Sequence, residues 1–223
     1  MLMTRCERRS SLLASGCLLA LAAAFCVFTV LSFPGQWADL RFYGLIAEGT
    51  PRALALALSS LVRQVLILAM PVLVAALGLF AVVKRRWRNV AAAVLTCLTV
   101  VPTVWALRQV LPRVDWGIAG GYPYNTFPST HVAIVAACCW AVWVLWPTDQ
   151  RRWVAWGLVV NAALAVYGNV ATHDHMPSDG LGSLLLTGAV GLAACGLMGV
   201  DPTASSGLKV RSSLQTRQAS AER

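Results

Sequence analysis

The chain has three histidines, His131, His173 and His175. They fall in two short polar segments set between long apolar runs. The first segment, Pro128-Ser129-Thr130-His131, leads into an apolar run and so marks a helix N-terminus. Free backbone N–H groups and the helix dipole make such a terminus a place where anions bind. The second, His173-Asp174-His175-Met176-Pro177-Ser178-Asp179, holds two imidazoles and two carboxylates. His175 and Asp179 are four residues apart. If a helix begins near Pro177, a residue suited to a first turn, the carboxylate reaches back to one ring nitrogen and leaves the other free to attack. Arg108 and Arg113 lie upstream, and a guanidinium fork matches phosphate oxygens. These residue types together point to phosphoryl chemistry.

Each residue also has a plainer reading. A lone histidine at a span end more often caps a helix or sits at the membrane interface, and arginines there are common anchors. His173 fits a loop residue better than a nucleophile, because Asp179 is spaced for His175. His173, Asp174, His175 and Asp179 are also types that bind a divalent ion, but the nearby arginines argue against one. Metal: none, and cofactor: none, is the expectation.

The elements that must hold these groups are apolar. Of 223 residues, 58% are hydrophobic and 12% charged, about half the charged share of a soluble domain. Runs of about 20 apolar residues can cross a bilayer. They place spans at about 11–33, 60–83, 89–107, 131–147, 153–172 and 180–200. The expected fold is all-α: an integral membrane bundle of six transmembrane helices over residues 1–200, followed by a disordered tail, 201–223. The segment 36–52 is amphipathic and is expected at the interface. Residues 53–83 exceed one span and contain Arg63, which fits a tilted helix with a snorkelling side chain. The first run follows Arg5, Arg8 and Arg9 as a signal peptide would, but it exceeds an h-region of roughly 7–15 residues. An uncleaved first helix is expected.

Charge gives the bundle a direction. The net charge is +9, and the cations flank apolar stretches, so topology and anionic lipid explain them better than nucleic acid. Arg5, Arg8, Arg9, Lys84, Arg85, Arg86, Arg88, Arg151, Arg152, Lys209, Arg211, Arg217 and Arg223 all fall on one side of a six-span chain, which predicts both termini cytoplasmic. All three histidines, Arg108 and Arg113 then share the outer face. A cluster of ionisable groups at one membrane face is a functional site by default. The seven cysteines form no disulfide framework or zinc spacing; six sit in apolar runs, where cysteine packs as a small hydrophobe.

With these residues in place, a resemblance emerges. Tyr124-Asn125-Thr126-Phe127-Pro128-Ser129-Thr130-His131 resembles the N-S-F-P-S-G-H motif of the type 2 phosphatidic acid phosphatase superfamily. His175-Met176-Pro177-Ser178-Asp179 resembles its H-x-P-S-D motif, and Arg108 to Asp115 resembles its K-x6-R-P motif. The resemblance covers roughly 88–200. It implies a six-helix membrane phosphatase with its site at the outer face. It implies that His175 is the nucleophile, Asp179 its orienting carboxylate and His131 the acid and base, while Arg108, Arg113, Ser129 and Thr130 bind phosphate. The chain departs from the pattern in four places. Thr130 replaces glycine, Arg108 replaces lysine, Asp115-Trp116 stands where Arg-Pro would fall, and Asn169 takes the position of an arginine, removing one phosphate ligand.

The expected partners are a lipid phosphate substrate and the bilayer, with no nucleic acid; the oligomeric state is left open. The expected place is the plasma membrane, with the site on the extracytoplasmic side. A catalytically silent protein that binds lipid phosphate or a partner is the alternative. A small transporter fits less well, since the chain shows no inverted repeat or broken paired helices.

Overall fold

The computed structural model describes residues 3–118, 124–147 and 151–202, without the side chains of Arg63, Arg151 and Arg152. The expected tail, from residue 203 on, and the Arg63 side chain therefore lie outside the described residues. Among the described residues the architecture is all-helical.

Helix α1 spans Arg5–Cys26. It begins six residues ahead of the apolar run because Thr4 and Glu7 form a capping box. The Thr4 N–H donates to the Glu7 carboxylate at 2.7 Å, and the Glu7 N–H donates to Thr4 Oγ1 at 3.3 Å. Its small-residue face lies along the last helix: Ser11 Oγ donates to the Leu192 carbonyl and Ser15 Oγ to that of Ala189, at 3.0 and 2.7 Å. Small residues let two backbones approach this closely inside a membrane. A π-helical turn, Val27–Leu31, extends α1, and Ser32 stops it in an extended conformation.

Ser32 is also the N-cap of α2, Phe33–Gly49, accepting from the Gly35 N–H at 3.2 Å. Pro34 sits in the first turn of α2, where its missing N–H costs nothing. The corner between the two helices needs Gly35: a Cβ there would stand 1.9 Å from the Phe28 carbonyl oxygen. Trp37, Phe42 and Leu45 of α2 are exposed, whereas Gln36 and Asp39 are buried. Gln36 and Asp39 thus face the protein, while Arg41 and Glu48 are exposed with the large apolar side chains.

The next helical stretch runs unbroken from Arg52 to Val83: α3 (Arg52–Ser60), a π-helical segment (Leu61–Leu66) and α4 (Ile67–Val83). It begins eight residues before the expected start at 60. Its 32 residues reach roughly 48 Å, well past a hydrocarbon core of roughly 30 Å. Helices α5 (Trp87–Val110), α7 (Arg151–Ala171) and α8 (Pro177–Met198) match the expected third, fifth and sixth spans within three residues at each end.

Helix α6 (Thr130–Leu145) is short, at 16 residues. It packs against α4, α5, α7 and α8, and Val132, Val135, Cys138, Cys139 and Val142 are buried there. It is walled largely by protein, and its 16 residues fall short of the roughly 20 that a span usually takes. Among the described residues five helical stretches are long and apolar enough to cross a membrane, and α6 is a shorter apolar helix.

Hydrogen bonds sort the helix termini into two ends. At one, Met3 N–H donates to the Gly199 carbonyl, and Arg86 and Asn89 close the C-terminus of α6 through the carbonyls of Leu145 and Val144, both at 2.9 Å. At the other, the C-termini of α5 and α7 meet the N-termini of α2, α6 and α8.

Candidate functional site

The site lies at the second end and is assembled from helix termini. Ser129 precedes α6 as its N-cap residue, and its N–H donates to the Asp179 carbonyl at 3.1 Å. Ser183 Oγ joins the same two segments, bonded to the carbonyls of Ser129 and Asp179 at 2.9 and 2.8 Å. Gly182 lets them approach, since a Cβ there would meet the Phe127 ring at 2.2 Å. The first turns of α6 and α8 are thus stitched together, which brings Ser129, Thr130 and His131 beside His175 and Asp179. Asn125 ties in the end of α5: its Nδ2 donates to the Phe127 carbonyl at 2.9 Å and to that of Arg108 at 3.5 Å.

The two carboxyl-terminal motif residues form the pair their spacing suggested. His175 Nδ1 lies 3.0 Å from Asp179 Oδ2, and both side chains are buried. The same oxygen accepts the Met176 N–H at 3.0 Å. With Nδ1 engaged, Nε2 is the nitrogen available to a substrate. His173 is exposed, has φ of 60°, and bonds through Nδ1 to the Tyr43 hydroxyl. Asp174 accepts from Thr172 Oγ1 at 2.6 Å. The four residues once open to a divalent-ion reading are therefore engaged by different partners.

The N-termini of α6 and α8 carry the motif residues, and they differ in charge. That of α8 carries Asp179 in its first turn and a second carboxylate from α2: Asp39 accepts the Ser178 N–H at 2.9 Å and the Ser178 hydroxyl. That of α6 carries no side-chain cap. Its first N–H groups and dipole are left to an anion. Beside them the Ser129 hydroxyl is fully buried with no hydrogen-bond partner among the described residues, and one terminal nitrogen of Arg113 is in the same state. Buried orphans of this kind need an explanation, and an anionic ligand supplies one for both. Arg108, half-buried in the last turn of α5, complements that helix's dipole.

Two departures from the motif pattern have structural readings. Thr130 takes the first helical position of α6 and is not among the described non-glycine residues with positive φ, so the backbone there does not require glycine. Asn169 is buried in α7, and its Nδ2 donates to the Ala165 carbonyl of its own helix at 2.8 Å. It supplies no cation in place of the missing arginine.

Asp39 escaped the sequence reading. Burial pushes its carboxyl up to about 6; the bonds from Ser178 and the charge of Arg113 oppose that shift, and the charge of Asp179 adds to it. Gln36, one turn earlier, donates from Nε2 to the carbonyls of Val30 and Val114 at 2.6 and 2.8 Å, which holds the segment after Arg113 against α2. The available signal was Gln36, Asp39 and Tyr43 at helical spacing on one face of an amphipathic segment.

Residues 109–200 match the family model of the PAP2 superfamily, which is consistent with a member of the type 2 phosphatidic acid phosphatase superfamily. The matched stretch holds every candidate site residue except Arg108. No match was found among curated proteins or among solved structures.

Proposed function

Taking that superfamily match as premise, we propose that this chain is a membrane phosphatase that hydrolyses a lipid phosphate through a phosphohistidine intermediate. A polyprenyl phosphate or pyrophosphate, or a phosphatidyl phosphate, suits a site at a membrane face. The observation that carries the reading is the buried His175–Asp179 pair stitched to the uncapped N-terminus of α6, where the Ser129 hydroxyl has no hydrogen-bond partner among the described residues.

In this reading the phosphate sits on the N–H groups of Thr130 and His131, the Ser129 hydroxyl, Arg108 and Arg113. These donors stabilise charge on the equatorial oxygens as the phosphoryl group transfers. His175 Nε2 attacks phosphorus, a P–N bond forms and the ester P–O bond breaks. Asp179 holds the ring in the required tautomer and stabilises the cation that develops. His131 gives its proton to the leaving lipid oxygen. It then takes a proton from water, which attacks the phosphohistidine and releases inorganic phosphate. Arginines and backbone dipoles supply the positive charge, so no metal is invoked.

The membrane frame belongs to the same proposal. Six spans, counting α6, put both termini in the cytoplasm of a plasma-membrane protein and the site on the extracytoplasmic face. The cation-bearing Arg8 and Arg86 lie at the end opposite the histidines, which supports that direction.

The test is phosphate release from several lipid phosphates by purified protein in detergent with EDTA present. Turnover by wild type that is lost in both His175→Ala and His131→Ala is expected. Turnover that dies with EDTA contradicts the metal-free route. Asn169 favours a second reading, a silent protein that binds lipid phosphate, since a phosphate ligand is missing there. Retained binding without turnover on any substrate selects it.

A further inference from the structure

Helix α8 carries the nucleophile's partner in its first turn, yet its own N-cap residue is Met176, which makes no side-chain cap bond. The usual cap is a short polar side chain that accepts the N–H of the second or third helical residue. Ser178 is the second residue of α8. Its N–H and hydroxyl both go to Asp39, 139 residues earlier in the chain and buried on α2. A carboxylate at that point also offsets the positive end of the helix. Asp39 thus supplies from a neighbouring helix the cap that α8 lacks. The bonded residue lies between His175 and Asp179, so the cap fixes the backbone from which their hydrogen bond is made. Asp179 holds His175 through Oδ2 alone, while its Oδ1 has no partner among the described residues.

We propose that Asp39 is a positioning residue of the site, acting through Ser178 to hold the first turn of α8 and with it the His175–Asp179 pair. Asp39 lies outside the matched stretch 109–200, so this role belongs to the interface helix and not to the motifs. What the pair does rests on the phosphatase reading; how it is held does not.

The test needs a readout independent of turnover. Carbethoxylation of His175 by diethyl pyrocarbonate is followed by mass spectrometry in the purified full chain, with the exposed His173 as reference. Losing a cap costs about 1 kcal/mol, close to a fivefold change. Asp39→Ala, which removes both acceptor oxygens, is therefore expected to raise the His175 rate about fivefold relative to His173. Ser178→Ala, which removes only a hydroxyl and covers the case in which the Asp39 variant fails to fold, should raise it in the same direction. The double variant should add little to the larger single effect. An unchanged His175 rate in the folded variants overturns the proposal, as does full additivity. With lipid phosphate, Asp39→Ala should lower kcat about fivefold and leave KM within about twofold; a raised KM at constant kcat overturns it. A wild-type protein without turnover removes the phosphatase reading, and the carbethoxylation result still decides the role of Asp39.

Discussion

Ser129 is the residue whose surroundings constrain the chemistry most. Among the described residues its buried hydroxyl has no partner and the helix it precedes has no side-chain cap, and a hydrogen bond to a charged group contributes roughly 1.5–3 kcal/mol. Ser129→Ala is therefore expected to weaken inhibition by vanadate, a phosphate mimic, by about tenfold or more while the fold stays intact. An unchanged inhibition constant would show that the hydroxyl does not meet phosphate. Asp39 sets a pH dependence. Burial raises its carboxyl to about 6, with Asp179 adding to the shift and Arg113 opposing it. The native chain then binds more protons than the unfolded chain between the ordinary carboxylate value and about 6, so this group's contribution to stability falls as pH rises through that window. The Ser178 hydroxyl needs an acceptor, so activity should rise through the same window. A kcat–pH profile of Asp39→Asn should lose that limb; a profile matching wild type would assign it to another group. At this scale the sequence was informative where partners are neighbours, since His175 and Asp179 meet at the spacing of one helical turn. It was silent where they are not: Asp39 and Ser178 come together only through the packing of α2 on α8.

Among the elements, α2 is the one whose place decides the most. Its corner with α1 depends on Gly35, whose added Cβ would collide with backbone, whereas Gly16 in α1 has open space around it. Gly35→Ala should lower the melting temperature in detergent and cut phosphate release together, by the roughly 1–3 kcal/mol typical of overpacking. Gly16→Ala should leave both at or slightly above wild type, since alanine favours a helix. Equal behaviour of the two variants would mean that the corner does not hold α2. Apolar run length located the bilayer-facing helices well, because lipid contact imposes it. It was less informative for α6, which is walled by protein, and for the start of the 52–83 helix, where tilt lets a longer helix fit. The capping box at Thr4 and Glu7 was readable as a pattern, but whether it would close depended on the chain before the apolar run.

For the whole molecule, Arg8 and Arg86 lie at one end of the bundle and the candidate site residues at the other, among the described residues. Charge placement in the sequence anticipated that separation, since span order alternates ends. Cys6 is exposed near the N-terminus, and Trp116 is exposed in the segment after α5. A membrane-impermeant maleimide should label Trp116→Cys in intact cells and reach Cys6 only after permeabilisation; the reverse pattern would invert the topology. The central claim is that phosphate passes through His175. Its most direct test is a single turnover with lipid phosphate labelled in the phosphoryl group, quenched in alkali, where phosphohistidine survives, and mapped by peptide mass spectrometry. The account predicts label on His175 that accumulates in His131→Ala, which is slow to hydrolyse it, and is absent from His175→Ala. Label on another residue, or phosphate release by His175→Ala at the wild-type rate, would contradict it.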